Sequence, residues 1–132
     1  MFLNLTDLSD EPLQSQIVRQ IRVLILAGEL TAGQDLPSIR GLAREQHISV
    51  ITVQRAYETL ERGGLIHSRR GKGFFVSELS ADSKSEMSEE RLIQVLEPAV
   101  KIALAEGLAP KKIRSMVEDI LQNQTKNFKE ER

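Results

Sequence analysis

A mainly α fold with a small β wing is predicted by three features of the 132-residue sequence. Residues 36–62 hold two helical stretches separated by the short turn Gln46-His47-Ile48. Residues 65–77 hold two short apolar runs on either side of Arg69-Arg70-Gly71-Lys72-Gly73. Residues 89–121 carry broad apolar stripes at helical spacing, more than a hairpin of that size buries alone. Together they describe a winged helix-turn-helix followed by a two-helix C-terminal dimerisation segment. The expected boundaries are 1–77 for the first domain, 78–88 for a linker and 89–132 for the helical segment.

In chain order, residues 2–9 start with a short extended piece in which Phe2, Leu3 and Leu5 are available to pack. Pro12 stands where a first helical residue belongs, since its missing N–H costs nothing there. Leu13, Ile17, Ile21 and Leu24 recur at helical spacing, with Val18 and Ile25 widening the stripe, and the helix ends at Ala27-Gly28. Leu30 to Pro37 reads as a loop. Ser38 caps the next helix, whose Ile39, Leu42 and Ala43 face inward while Arg40 and Arg44, one turn apart, share an outer face. Ile48 is expected to plug the space between the two helices.

The second helix of the pair runs from Ser49 to about Arg62. Ser49 is a good N-cap, because its hydroxyl accepts a bond from an otherwise unpaired backbone N–H. Val53, Ala56, Tyr57 and Leu60 form one apolar stripe that wants a core. The opposite face carries Val50, Ile51, Gln54, Arg55, Glu58 and Arg62. A β-branched pair has no reason to sit in water at the start of a polar face unless that end of the helix meets a partner. Gly63-Gly64 ends the helix. Leu65–Ser68 and Phe74–Ser77 then read as two strands. Their connection, with two glycines and the cations Arg69, Arg70 and Lys72, makes a tight basic tip suited to a phosphate backbone or a minor groove.

Beyond the linker, Ser88 with Glu89 and Glu90 suits a helix start. Leu92, Leu96, Ala99 and Ala103 make one stripe, with Ile93, Val100 and Leu104 beside it. Pro98 falls inside this helix and is expected to kink it, and Gly107 to stop it. Pro110 opens a last helix with Ile113, Val117, Ile120 and Leu121 on one face and Met116 adjoining, and a fraying tail is expected from Gln122. The stripes point to pairing with a second copy through Leu92, Leu96, Val100, Ile113, Val117 and Ile120. Pro98 and the 78–88 linker are the candidate hinges through which a signal alters the angle between two modules.

Charge is unevenly distributed. The whole chain carries net −1, but residues 38–77 hold seven basic side chains against three acidic, net +4, flanked by −3 and −2. The positive charge is gathered where the geometry suits a phosphate backbone. There are no cysteines, which excludes disulfides and thiolate metal sites. No apolar run is long enough to span a bilayer, and the N-terminus lacks the pattern of a signal peptide, so no membrane partner and a cytoplasmic location are expected. An enzyme is disfavoured: His47 and His67 have no carboxylate or thiol at a suggestive spacing, and Gly71-Lys72-Gly73 follows a strand without opening a helix, unlike a phosphate-binding loop. No catalytic residue, metal ligand or cofactor is assigned. The alternative is a winged-helix protein-interaction module without specific DNA binding, for which a neutral or acidic recognition face would speak.

The segment up to residue 77 resembles the DNA-binding domain of GntR-family bacterial transcription regulators. The resemblance lies in Pro12-Leu13, Gln16-Ile17, Gly28, Leu30, Gly33, Leu36-Pro37-Ser38 with Arg40, Leu42-Ala43, Ser49, Thr52-Val53, Arg55-Ala56-Tyr57, Leu60-Glu61, Gly64-Leu65-Ile66, Gly71, Gly73 and Phe75-Val76. The short two-helix C-terminal part looks like the YtrA subfamily, with no room for the larger effector-binding domains of other branches. It implies a homodimeric transcription regulator, a repressor, on a palindromic double-stranded operator, with an unidentified small-molecule effector left open. It further implies DNA contacts by Arg40, by Ser49, Val50, Ile51, Thr52 and Gln54 of the recognition helix, and by Arg70, Gly71 and Lys72 at the wing tip. Arg55 and Arg69 join this set on charge and position. The sequence departs from the family pattern at Val50, where arginine or asparagine is common, and at Ile51, where a polar residue is. It also departs at Gln14, Asp35 and Phe74. Aliphatic side chains at 50 and 51 suit thymine methyl contacts, Gln54 an adenine edge, and Arg40 or Arg55 a phosphate.

Overall fold

The computed structural model describes residues 3–130, so Phe2 lies outside the described residues. Helix α1 (Leu13–Leu26) is followed by α2 (Ile39–Gln46) and α3 (Val50–Arg62), then by the antiparallel strands β1 (Ile66–Arg69) and β2 (Gly73–Val76), and finally by α4 (Ala81–Ala105) and α5 (Pro110–Glu130). The chain divides into two compact units between Ser85 and Glu86.

In the first unit α3 packs against α1, α2 and β1. Its stripe is as the spacing predicts: Val53, Ala56, Tyr57 and Leu60 are all buried. They meet Ile17, Ile21 and Ile25 of α1, Leu42 and Ala43 of α2, and Leu65, Ile66 and Val76 around the wing in one core. Tyr57 lies in its middle. Its hydroxyl donates to the Pro37 carbonyl at 2.7 Å, and its ring meets Phe74 edge-on, with centroids 5.0 Å apart. Burial, and secondarily the charge of Glu45, pushes the Tyr57 hydroxyl well above its ordinary pKa.

The buried face of α1 is turned slightly from the expected one. Leu13 and Leu24 are half-buried, and Gln16 is buried instead. Gln16 binds the N-terminal segment as a backbone would: its side-chain oxygen accepts from Thr6 N–H at 3.0 Å, and its Nε2 donates to the Thr6 and Glu11 carbonyls at 2.7 and 2.8 Å. Gln20, one turn on, exchanges two bonds of 2.8 Å with Asn4. Leu3 is thereby held in the core.

The stretch 30–37 is more ordered than a loop. Gly33 N–H donates to Val76 O at 2.8 Å, Val76 N–H to Gln34 O at 3.0 Å, and Leu36 N–H to Phe74 O at 3.0 Å. An isolated bridge joins Asp35 to Phe75, so this segment extends the wing on the β2 side. The turn between α2 and α3 contains His47 at φ 57°, the one left-handed non-glycine among the described residues, at a local cost of about 1 kcal/mol. Ile48 N–H reaches back to Ala43 O at 3.0 Å to close α2, and the Ile48 side chain is half-buried, not a full plug.

Residues 78–88 are not the expected linker: α4 starts at Ala81, leaving 77–80 as the non-helical connection. The start is built by Ser80, whose Oγ accepts from Ser83 N–H at 3.1 Å, ahead of the expected Ser88. Residues 81–88 contain neither glycine nor proline, so nothing in them opposes a helix. The hinge expected over 78–88 shrinks accordingly. Helix α4 runs continuously through Pro98, and closes with Gly107 N–H bonded to Leu104 O and Leu108 N–H to Ala103 O. The tail expected to fray from Gln122 is helical to Glu130.

Candidate nucleic-acid interface

The exposed start of α3 is fixed by its cap. Ser49 Oγ accepts from Ile51 N–H at 3.1 Å, which sets the first turn carrying Val50, Ile51 and Thr52. Val50 is 44 % and Ile51 59 % exposed, while Thr52 is half-buried. Val50 shares a shallow depression with Arg40, Ala43, Arg44 and Ile48. This brings the predicted Arg40 and Val50 together, and adds Arg44 and Ile48 to the group. The signal for Arg44 was its spacing of four from Arg40 on one helix.

Arg40 is held by the start of α2. Ser38 Oγ accepts from Gly41 N–H at 3.0 Å, and a Cβ at position 41 would stand only 2.8 Å from that oxygen. The glycine therefore lets the cap hydroxyl approach. Gln54 and Arg55 are exposed further along α3, and Gln54 Nε2 donates to Glu58 Oε1 at 3.3 Å.

Gly64, at φ +80°, turns the chain from α3 into the wing. Strands β1 and β2 pair with Ile66 opposite Val76 and Arg69 opposite Gly73. The tip is Arg70-Gly71-Lys72, all exposed, closed by Lys72 N–H donating to Arg69 O at 2.9 Å. Arg69, expected as a contact, has its guanidinium 5.0 Å from the centre of the Phe75 ring, an attraction between the cation and the ring face. His67 stacks on the same Phe75 ring, with centroids 5.9 Å apart, and its Nδ1 lies 3.3 Å from Ser77 Oγ.

Sequence reasoning missed the residue that joins helix and wing. Glu61 Oε2 accepts from both Ser68 N–H, at 3.0 Å, and Ser68 Oγ, at 2.9 Å. This carboxylate clasps β1 to the last turn of α3 and is occupied in doing so. Its partner is a serine in the next element, β1, so the periodicity of α3 does not reveal it.

In the second unit, no side chain of residues 86–128 is buried. Of the six expected interface residues, Leu92 is 61 % and Ile120 58 % exposed, with Leu96 and Val117 also exposed, and Val100 and Ile113 half-buried. Aliphatic surface of this extent marks an interaction face. Among the described residues there is no cluster of metal-ligating side chains, and no helix is long and apolar enough to cross a membrane.

A capped helix with an exposed start, a helix before it carrying two arginines, and a basic ribbon after it define a winged helix-turn-helix protein. Residues 13–76 match the model of the bacterial regulatory proteins of the gntR family. The chain is 37 % identical over 93 residues to the HTH-type transcriptional regulator YhcF of Bacillus subtilis, covering 70 % of this chain and 76 % of that one. It is 37 % identical over 92 residues to the HTH-type transcriptional repressor YtrA of the same organism, covering 67 % and 71 %. A solved GntR family transcriptional regulator from Listeria monocytogenes superimposes with a TM-score of 0.71 at 29 % identity, over 84 % of this chain and 96 % of that one. The chain belongs to the GntR family, and within it resembles the YtrA-like members.

Proposed function

We propose that this protein is a sequence-specific DNA-binding transcription repressor, acting in the cytoplasm as a homodimer on a palindromic operator. The observation that carries the reading is the exposed first turn of α3 beside Arg40 and Arg44, in a unit whose wing tip presents Arg70 and Lys72. In this reading α3 enters the major groove, and Arg40, Arg55 and the wing tip take phosphates, fixing register without carrying sequence. The repressor role follows the relative of that name. The homodimer is supported by the uncovered apolar faces of α4 and α5, through Leu92, Leu96, Val100, Ile113, Val117 and Ile120, because a two-fold protein matches a two-fold operator.

The test is binding of the full chain to duplexes from the region upstream of its own gene, with bulk DNA as competitor. One duplex is expected to outcompete bulk DNA, to show two protected half-sites, and to lose affinity steeply between low and high salt through counterion release. Arg40→Ala and Arg70→Ala should each reduce the slope of log K against log salt by about 1. If no duplex outcompetes bulk DNA at low salt, the reading is wrong.

A further inference from the structure

We infer that Val50 and Ile51 recognise the 5-methyl groups of thymines, so that each operator half-site carries thymine at the steps facing the start of α3. The inference rests on the proposed DNA binding and adds the base it favours.

Three observations carry it. First, these two side chains stand apart from the other large aliphatics of their helix. Val53 and Leu60 are at 0 % and 1 % exposure, whereas Val50 and Ile51 are at 44 % and 59 %. The helix has its core face already, and this pair is surplus to it. Second, both are β-branched and sit in a turn fixed by the Ser49 cap. Their χ1 angles are stiff in a helix, so little rotamer freedom is lost when they meet a surface. Third, the depression that Val50 lines has Ala43 and Ile48 with it and Arg40 and Arg44 as its charged members. Apolar groups among guanidinium groups match a major groove, where the thymine methyl lies between rows of phosphates.

Aliphatic side chains neither donate nor accept hydrogen bonds. They cannot pair with the polar edges of guanine, adenine or cytosine, and they leave those edges desolvated where they cover them. The thymine methyl is the one methyl group that the four natural bases present in that groove. A protein partner for this patch is less consistent with the net +4 of residues 38–77.

The experiment uses the full chain and a pool of random-sequence duplexes, enriched by repeated rounds of binding. In the selected duplex each thymine is replaced singly by deoxyuridine, which lacks only the methyl. At one or two positions per half-site the replacement should weaken binding about fourfold per methyl. At those positions Val50→Ala or Ile51→Ala should bind the thymine and deoxyuridine duplexes alike. Both variants change exposed side chains, and an unchanged circular dichroism spectrum and urea midpoint report an intact module. The inference is overturned if the selected duplex binds specifically yet no deoxyuridine replacement matters, or if the effect persists in both variants. A pool that yields no enriched sequence overturns the DNA-binding reading itself, and this inference with it.

Discussion

Replacing Gln16 with leucine tests how the N-terminal segment is held. Gln16 is only 2 % exposed and makes three hydrogen bonds, of 2.7, 2.8 and 3.0 Å, to the backbone of Thr6 and Glu11. Leucine has a similar volume and none of the polar atoms. At a net contribution of about 1 kcal/mol per bond, the loss is about 3 kcal/mol, and the three backbone groups left behind, part-buried, regain water only in part. For a unit of this size that corresponds to a fall in Tm of about 10–20 °C, and to a urea midpoint lower by about 1–3 M. Gln20 is the internal control. It makes the same kind of paired bonds to Asn4, at 2.8 Å each, but in an exposed setting, so Gln20→Leu should cost less than about 1 kcal/mol. Urea unfolding followed by circular dichroism separates the two. A Gln16→Leu loss below about 0.5 kcal/mol, or equal losses for both variants, would refute the claim that buried amide-to-backbone pairing anchors this segment.

Two further outcomes follow from features already described. Leu96→Glu or Ile120→Glu, each placing a charge on an uncovered apolar face, should give monomers in sedimentation together with much weaker operator binding; variants that sediment as dimers would move the interface elsewhere. The Tyr57 hydroxyl has its pKa raised in the folded chain above the ordinary 10.0, first by burial, so the unfolded chain releases this proton more readily. Its stabilising contribution is therefore complete below about pH 10 and is lost as pH rises beyond that. Tyr57→Phe should cost about 1 kcal/mol near neutral pH, through the lost bond to Pro37 O, and should show a shallower alkaline loss of stability in denaturant titrations than the parent.

Local chemistry made most of the fold readable. The Ser38 and Ser49 caps and the stripe of Val53, Ala56, Tyr57 and Leu60 are decided within a turn or two of helix, and they came out as expected. The glycine-bounded wing did too, shifted by a residue. What escaped depends on partners distant in sequence. Gln16 reads as a polar residue beside a stripe until residues 3–6 fold back onto it. Glu61 reads as one more surface carboxylate until Ser68 arrives from the wing. Gly33–Leu36 reads as a loop because its hydrogen bonds are with β2, some forty residues on. The stretch 81–88 differs from its expected form for another reason: ADSKSEMS is polar and small, but a single serine cap and no helix breaker suffice to extend α4 through it.

The buried Tyr57 has a consequence for how this protein is studied. It is the one tyrosine in a chain without tryptophan, and it lies at the junction of α2, α3 and the wing. Its fluorescence and near-ultraviolet signals therefore arise in the first unit. A disturbance reaching Pro37 or Phe74 changes that signal. The molecule thus carries an intrinsic optical reporter addressed to its recognition helix, with no label attached.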